Sequence, residues 1–164
     1  MGNKSHRTDA LETRLWDAVE TRRVGMLGLT KSGLHYQPMT AFVDRRRNRI
    51  WFFASRDTDL VRSVGDGGSA MFVFQDTGLQ ASIGGSLSVA VDRRRMDRYW
   101  SSAVSAWFPL GKDDPQLTML RMDCTDAEVS ISEIGLTKFV WEVALPATRR
   151  RAPDRAGRTA ETLH

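Results

Sequence analysis

Cysteine occurs once in these 164 residues, at Cys124, so no internal disulfide can form and no second thiolate is available for a zinc site. Histidine is almost as scarce. Of three, His6 and His164 fall near the ends and only His35 lies in the body, which excludes a His-rich metal site and a His-paired nucleophile. Without a paired acid, His35 reads as a surface or rim histidine and not as a general base. No apolar run is long and uncharged enough to span a membrane. The opening MGNKSH lacks the apolar core of a signal peptide, so the expectation is a cytoplasmic protein; Gly2 with Ser5 only faintly imitates a lipidation start.

Positive charge is present but badly placed for a nucleic-acid groove. The formal charge is +4, and the segment 147–164 holds five arginines against Asp154 and Glu161, an excess of three. About one net charge is left for the rest, too little for a basic groove. This segment has almost no large apolar residue and reads as a solvated, unstructured tail. The expected organisation is therefore an unstructured start over 1–8, one domain over 9–146 and the basic tail over 147–164. An apolar content of 41% is enough for one packed core.

Asp9 with Glu12 forms a capping-box pattern, and Leu11, Leu15, Ala18 and Val19 follow at helical spacing, predicting a helix over 9–21. Strand-like segments over 24–30, 34–43 and 49–55 come next, separated by Lys31-Ser32-Gly33 and by the polar run 44–48. Asp59 is a candidate cap for a short helix carrying Leu60, Val61 and Val64, ended by the glycines from Gly65 to Gly68. Further strands are expected over 70–75, 79–91, 117–131 and 138–145. Gly84-Gly85 inside one of them suggests a bend or a close backbone approach. Asp92 caps a longer predicted helix whose Met96, Tyr99, Trp100, Ala103, Val104 and Trp107 make one apolar stripe, by default core packing, before Phe108-Pro109 stops it. The fold class is α+β with an antiparallel sheet of six or seven strands curled into a barrel.

One stretch resists this scheme. Pro38, in YQPMTA, cannot donate to a ladder, so it marks either a barrel edge that avoids aggregation or a backbone left open to a flat ligand.

The order of segments narrows the choice. The N-terminal helix, VGMLGLT, GLHYQPMTAF, IWFFAS, DLVRSV, SIGGSLSVAVD and AWFPLGKDDPQLTMLRM together resemble the general stress protein branch of the pyridoxamine phosphate oxidase-like, FMN-binding split-barrel family, from about Leu11 to Glu128. The Pro-Met pair, WFFAS and WFPLGKDDP are the most specific pieces. The resemblance implies a homodimer of six-stranded split barrels with flanking helices and FMN in a groove at the interface. It implies that Gln37, Pro38, Met39 and Thr40 offer main-chain groups to the flavin edge while Phe53, Ala54 and Ser55 run beneath the ring. It also implies redox chemistry with a nicotinamide cofactor or small electron acceptor as partner, carried by the cofactor and by no named catalytic residue.

The chain departs from that family at the phosphate end. Members usually carry arginine at the position of Gln37 and lysine at that of Leu60. Ser55, Arg56, Arg62 and the amides opening the Asp59 helix are the remaining candidates for a phosphate nest, with solvated surface the alternative for the two arginines. An aromatic pair usual after Ala127-Glu128 is replaced by Val129-Ser130, and Trp141 comes only later. Trp107 is then the aromatic left to cap a flavin, from the same or the partner subunit, its alternative being burial under the barrel. The lost cations also favour a second function, a non-catalytic dimeric module that no longer holds FMN. Dimerisation itself is expected from the aromatics of WFF, MFVF and YW…WF, more than one small barrel would cover.

Overall fold

The computed structural model describes residues 2–132 and 134–141. It opens with helix α1 (Gly2–Arg22), which begins well before the Asp9 capping pattern. Residues 2–8, expected to be unstructured, continue the helix because nothing from Asn3 to Asp9 breaks it. Asp9 lies inside, its carbonyl accepting from Thr13 Oγ1 at 2.9 Å. Leu11, Leu15, Trp16 and Val19 are buried on the face toward the sheet, a spacing that stacks them along one stripe.

The strands are β1 (Val24–Leu29), β2 (Gln37–Thr40), β3 (Phe42–Asp44), β4 (Arg49–Ser55), β5 (Gly68–Asp76), β6 (Leu79–Val89), β7 (Leu117–Ile131) and β8 (Gly135–Val140). They pair in the order β2-β1-β5-β6-β7-β4-β3, all antiparallel, with β8 added to the second half of β7. The two ends of this path, β2 and β3, are consecutive segments of one chain run separated only by Ala41. That run leaves β1 at Thr40 and joins β4 at Phe42, so the sheet curls back on itself. Counted this way the barrel has six strands, as expected, and β8 is an addition. The glycine pair in β6 marks a register shift, and a Cβ on Gly85 would collide with the Asp123 carbonyl.

Alternation along the strands builds two apolar layers. Ile50, Phe52 and Ala54 of β4 point into the barrel with Leu27, Phe72, Ile83, Leu120 and Met122, and α1 plugs it. Trp51 and Phe53 point outward with Phe42, Leu117 and Met119. Helices α3 (Arg93–Tyr99) and α4 (Ser102–Ser105) cover that outer layer through Met96 and Val104. Full burial of a side chain such as Phe52 contributes about 1.5–3 kcal/mol, so both layers matter to stability.

Three local expectations change. The single helix predicted from Asp92 is two helices, because the Ser101 hydroxyl accepts from Val104 N–H at 3.4 Å and starts a new one while Trp100 is extended. Helix α2 (Asp59–Val64) is capped by Thr58, not Asp59, its Oγ1 accepting from Val61 N–H, and it ends at Gly65 with φ 53°. The expected final strand begins at Gly135, and its residues 142–145, like the tail 147–164, lie outside the described residues.

The aromatic argument for a dimer narrows to YW…WF, where Trp107 is exposed and Tyr99 and Trp100 are half-buried. Trp51, Phe52, Phe72 and Phe74 are buried by their own chain and Phe53 is half-buried, which leaves no aromatic surplus in WFF or MFVF.

Candidate functional site

An antiparallel ladder turns the main-chain groups of successive residues alternately toward and away from the partner strand. The Ala41 amide donates to the Arg23 carbonyl at 2.7 Å. Stepping back by twos along the register, Met39 with Gly25 and Gln37 with Leu27 are the other hydrogen-bonded pairs. Pro38 and Thr40 lie between them and turn their main-chain groups away from β1. Pro38 therefore stands where the ladder asks for no donor, which explains how a barrel strand tolerates it. The free edge presents the Pro38 carbonyl and the Thr40 amide and carbonyl.

That edge borders a cleft of about 1540 Å³. β2 makes no ladder with β4, and the space between them is the opening. Phe53, Ala54 and Met39 supply apolar floor, and Tyr99 and Trp100 at the end of α3, with Trp107 just beyond α4, form the facing wall. Tyr99 and Trp100 belong to a connected aromatic set: Phe42 stacks on Tyr99 with centroids 5.0 Å apart, and Phe53 meets Phe42 edge-on at 5.5 Å and Trp100 at 5.8 Å. Trp107 is 83% exposed, so the alternative of burial under the barrel does not hold.

The two ends of the cleft differ in charge. At one end Arg23 lies over the Phe42 ring at 5.2 Å, and Arg98 lies near the Tyr99 ring at 5.9 Å. At the other end are Ser55, Thr58, Leu60, Asp114 and Gln116, with no cation in the lining among the described residues. Hydroxyls there are committed locally: Ser55 Oγ bonds Asp57, and Thr58 Oγ1 donates to the Ser55 carbonyl at 2.9 Å. Gln116 gives its carbonyl to the Arg56 amide at 2.8 Å. The lone thiol is elsewhere, in the barrel core, where burial pushes the Cys124 pKa far up and removes it as a nucleophile. No group of three or more metal-ligating side chains exists among the described residues.

Comparison with known proteins identifies the fold. The family model described as pyridoxamine 5'-phosphate oxidase like matches residues 10–154. The chain belongs to that family. No curated protein matches it. Among solved structures of this pyridoxamine 5'-phosphate oxidase-like fold, the general stress FMN/FAD binding protein of Xanthomonas citri is 35% identical, with TM-score 0.71 over 84% of this chain and 99% of that one. A general stress family protein of Xanthomonas campestris pv. campestris is also 35% identical, with TM-score 0.70 over 84% and 97%. A protein related to general stress protein 26 from Clostridium acetobutylicum, 18% identical with TM-score 0.68 over 80% and 94%, shares the fold.

Within this family member, nine of the expected site residues line one cleft: Gln37, Pro38, Met39, Thr40, Phe53, Ala54, Ser55, Leu60 and Trp107. Arg56 and Arg62 are not in its lining, and both are exposed. Leu60 is 3% exposed and packed into the barrel core, so the position at which the resemblance implies a lysine serves here as core. Val129, where the resemblance implies an aromatic, is likewise core, and Trp141 stacks on Trp16 at 5.3 Å and is not in the cleft lining. Phe42, Tyr99 and Trp100 were not expected in the site. The stripe that holds Tyr99 and Trp100 has helical spacing, which by itself signals packing, and the break at Ser101 turns it into a wall.

Proposed function

We propose that the cleft binds the ring system of a flavin, with FMN the form suggested by relatives, and that the protein works as a homodimer. The observation that carries this reading is the free edge of β2. Its Pro38 carbonyl would accept from a ring N–H and its Thr40 amide would donate to a ring carbonyl, while Met39 and Phe53 meet an apolar face. A bound flavin supplies two-electron transfer with a nicotinamide cofactor or small acceptor, making the protein a flavin-dependent oxidoreductase. The chain's own task is to hold the ring between β2 and the Tyr99–Trp100 wall and keep water from one face.

The residues present fit the ring and leave a phosphate without a cation at the Ser55 end. Ring contacts then carry the affinity, and FMN should bind little more tightly than riboflavin. The dimer reading is supported by an exposed apolar row beside the free edge: in register, Met26 neighbours both Pro38 and Val73, and Met26 and Val73 are 40% and 41% exposed.

The missing cation favours a second reading, a non-catalytic dimeric module that has lost FMN. Purified full-length protein separates the two. Yellow protein that releases flavin on denaturation, or colourless protein that takes up added riboflavin and FMN, supports the first; failure to take up either at tens of micromolar supports the second. Among the described residues, no helix is long and apolar enough to cross a membrane.

A further inference from the structure

The chain contains the tetrapeptide Asp-Arg-Arg-Arg twice, at 44–47 and 92–95. The fold sets the two copies side by side. Arg95 donates to Asp44 Oδ2 at 2.8 Å, tying the 3-10 turn Arg45–Arg47 to α3, and lies over the Trp51 ring at 4.8 Å. Around this tie is a recess of about 680 Å³ lined by Arg45, Arg46, Arg47, Arg94, Arg95 and Arg98 against Glu20, Asp44 and Asp92, a formal excess of three positive charges.

The acids are already committed. Arg45 takes Asp17 and Glu20, Arg47 takes Asp44, and Arg95 takes Asp44 and Asp92. Arg46, Arg94 and Arg98 have no acidic partner among the described residues, and Arg94 and Arg98, four apart on one helix, lie along the same face. Three clustered like charges repel one another, and a polyanion relieves that repulsion. Guanidinium forks match phosphate oxygens in pairs. The recess also opens into the aromatic cleft, since Val43, Arg98 and Tyr99 line both. A ligand that fills both features carries adjacent phosphates and a flat ring.

We propose that this recess is a nucleotide site that takes the pyrophosphate of a nucleoside diphosphate, with the base directed toward Tyr99. The phosphates use the flank opposite Ser55, so the arginine recess stands apart from the phosphate end of the proposed flavin site; the base shares the Tyr99 wall with the flavin ring, and ADP is therefore titrated into protein stripped of flavin. Its charge chemistry suits a free nucleotide or the adenylate arm of a dinucleotide.

The test is calorimetric titration of the full-length protein with ADP, AMP and adenosine at low salt. ADP should bind at least tenfold more tightly than adenosine, with AMP between them. Arg46→Ala with Arg94→Ala should weaken ADP at least tenfold without moving the melting temperature, since both side chains are exposed; Lys31→Ala, removing a distant charge, should change nothing. Displacement of ADP by FAD or NADH would assign the site to a dinucleotide arm, and retention of ADP in their presence to a free nucleotide; either supports it. Equal binding of ADP and adenosine would overturn the proposal. So would unchanged ADP binding in the double variant, which would place the ligand on the arginine-rich C-terminal segment. FMN uptake, read separately by fluorescence, should be the same in the variant and the natural protein.

Discussion

The Ala41 amide hydrogen-bonds the Arg23 carbonyl at 2.7 Å, and this contact sets the phase of the whole β2 edge. Residues in phase with Ala41 serve the ladder; Pro38 and Thr40, out of phase, serve the cleft. Thr40→Pro should therefore leave the fold intact, since Pro38 already occupies an equivalent position, while removing the one amide that faces the cleft. A net hydrogen bond of about 0.5–1.5 kcal/mol corresponds to a loss of about two- to tenfold in flavin affinity. Ala41→Pro should do the reverse, costing about 1–3 kcal/mol of stability by orphaning the Arg23 carbonyl. Paired thermal melts and flavin titrations of the two variants check this. Equal affinity loss in both would mean that the edge does not contact the ligand.

Leu60→Lys places a cation at the cleft end that lacks one, from a position whose side chain is packed in the core. Lost packing and a poorly solvated ammonium should lower stability by about 2–4 kcal/mol. The ratio of FMN to riboflavin affinity should rise about tenfold if the phosphate lies there, because a charge-assisted contact contributes about 1.5–3 kcal/mol. Arg62→Ala, outside the cleft lining, should leave that ratio unchanged.

Trp107 offers a contrast between stability and binding. Being 83% exposed, it can be replaced by alanine with a change within about 0.5 kcal/mol in stability. Loss of aromatic stacking should weaken flavin binding by about two- to tenfold, from about 0.5–1.5 kcal/mol. A melting temperature lowered by many degrees with unaltered binding would show Trp107 to be structural.

Much of the fold is legible in the residues, and the failures have physical causes. Alternation in IWFFAS and the glycine pair in SIGGSLSV mark a curled antiparallel sheet because burial on one face and close backbone approach leave those signatures. The point at which the barrel closes does not show, because a strand that changes partner at Ala41 looks like any continuous apolar run. Ser101 could have revealed the break in the helix from Asp92, since a serine three residues before Val104 is a capping signal that competes with helical spacing. For the site, residues of β2 and β4 are readable through motif order. Tyr99 and Trp100 are not, because an amphipathic stripe has the same spacing whether it packs on a core or walls a cleft. Nor does sequence distance show that two arginine runs 48 positions apart meet, as 44–47 and 92–95 do across the Asp44–Arg95 pair.

That pair sets an acid limit to stability. Partial burial opposes ionisation of Asp44, but hydrogen bonds and charge from Arg95 and then Arg47 outweigh it and hold the carboxyl below its usual range. A depressed carboxyl pKa contributes stability that is present above the unfolded value of about 4 and lost as pH falls through the folded value. Stability should thus decline below about pH 4. Asp44→Asn should shallow that acid limb and cost about 1–3 kcal/mol at neutral pH, because it leaves the partly buried Arg95 with Asp92, at 3.6 Å, as its one acidic partner among the described residues. Urea unfolding of both proteins from pH 3 to pH 7 gives the comparison. Parallel curves across that range would remove Asp44 from the acid response.

Flavin binding itself is tested most directly by titrating the full-length protein, stripped of any copurified pigment, into riboflavin and into FMN while following flavin fluorescence. The account predicts quenching that saturates at one flavin per chain, with the two affinities within about tenfold of each other, since the ring makes the contacts and the Ser55 end supplies no cation. Absence of quenching for both flavins at tens of micromolar would contradict it and leave the cleft to a different ligand.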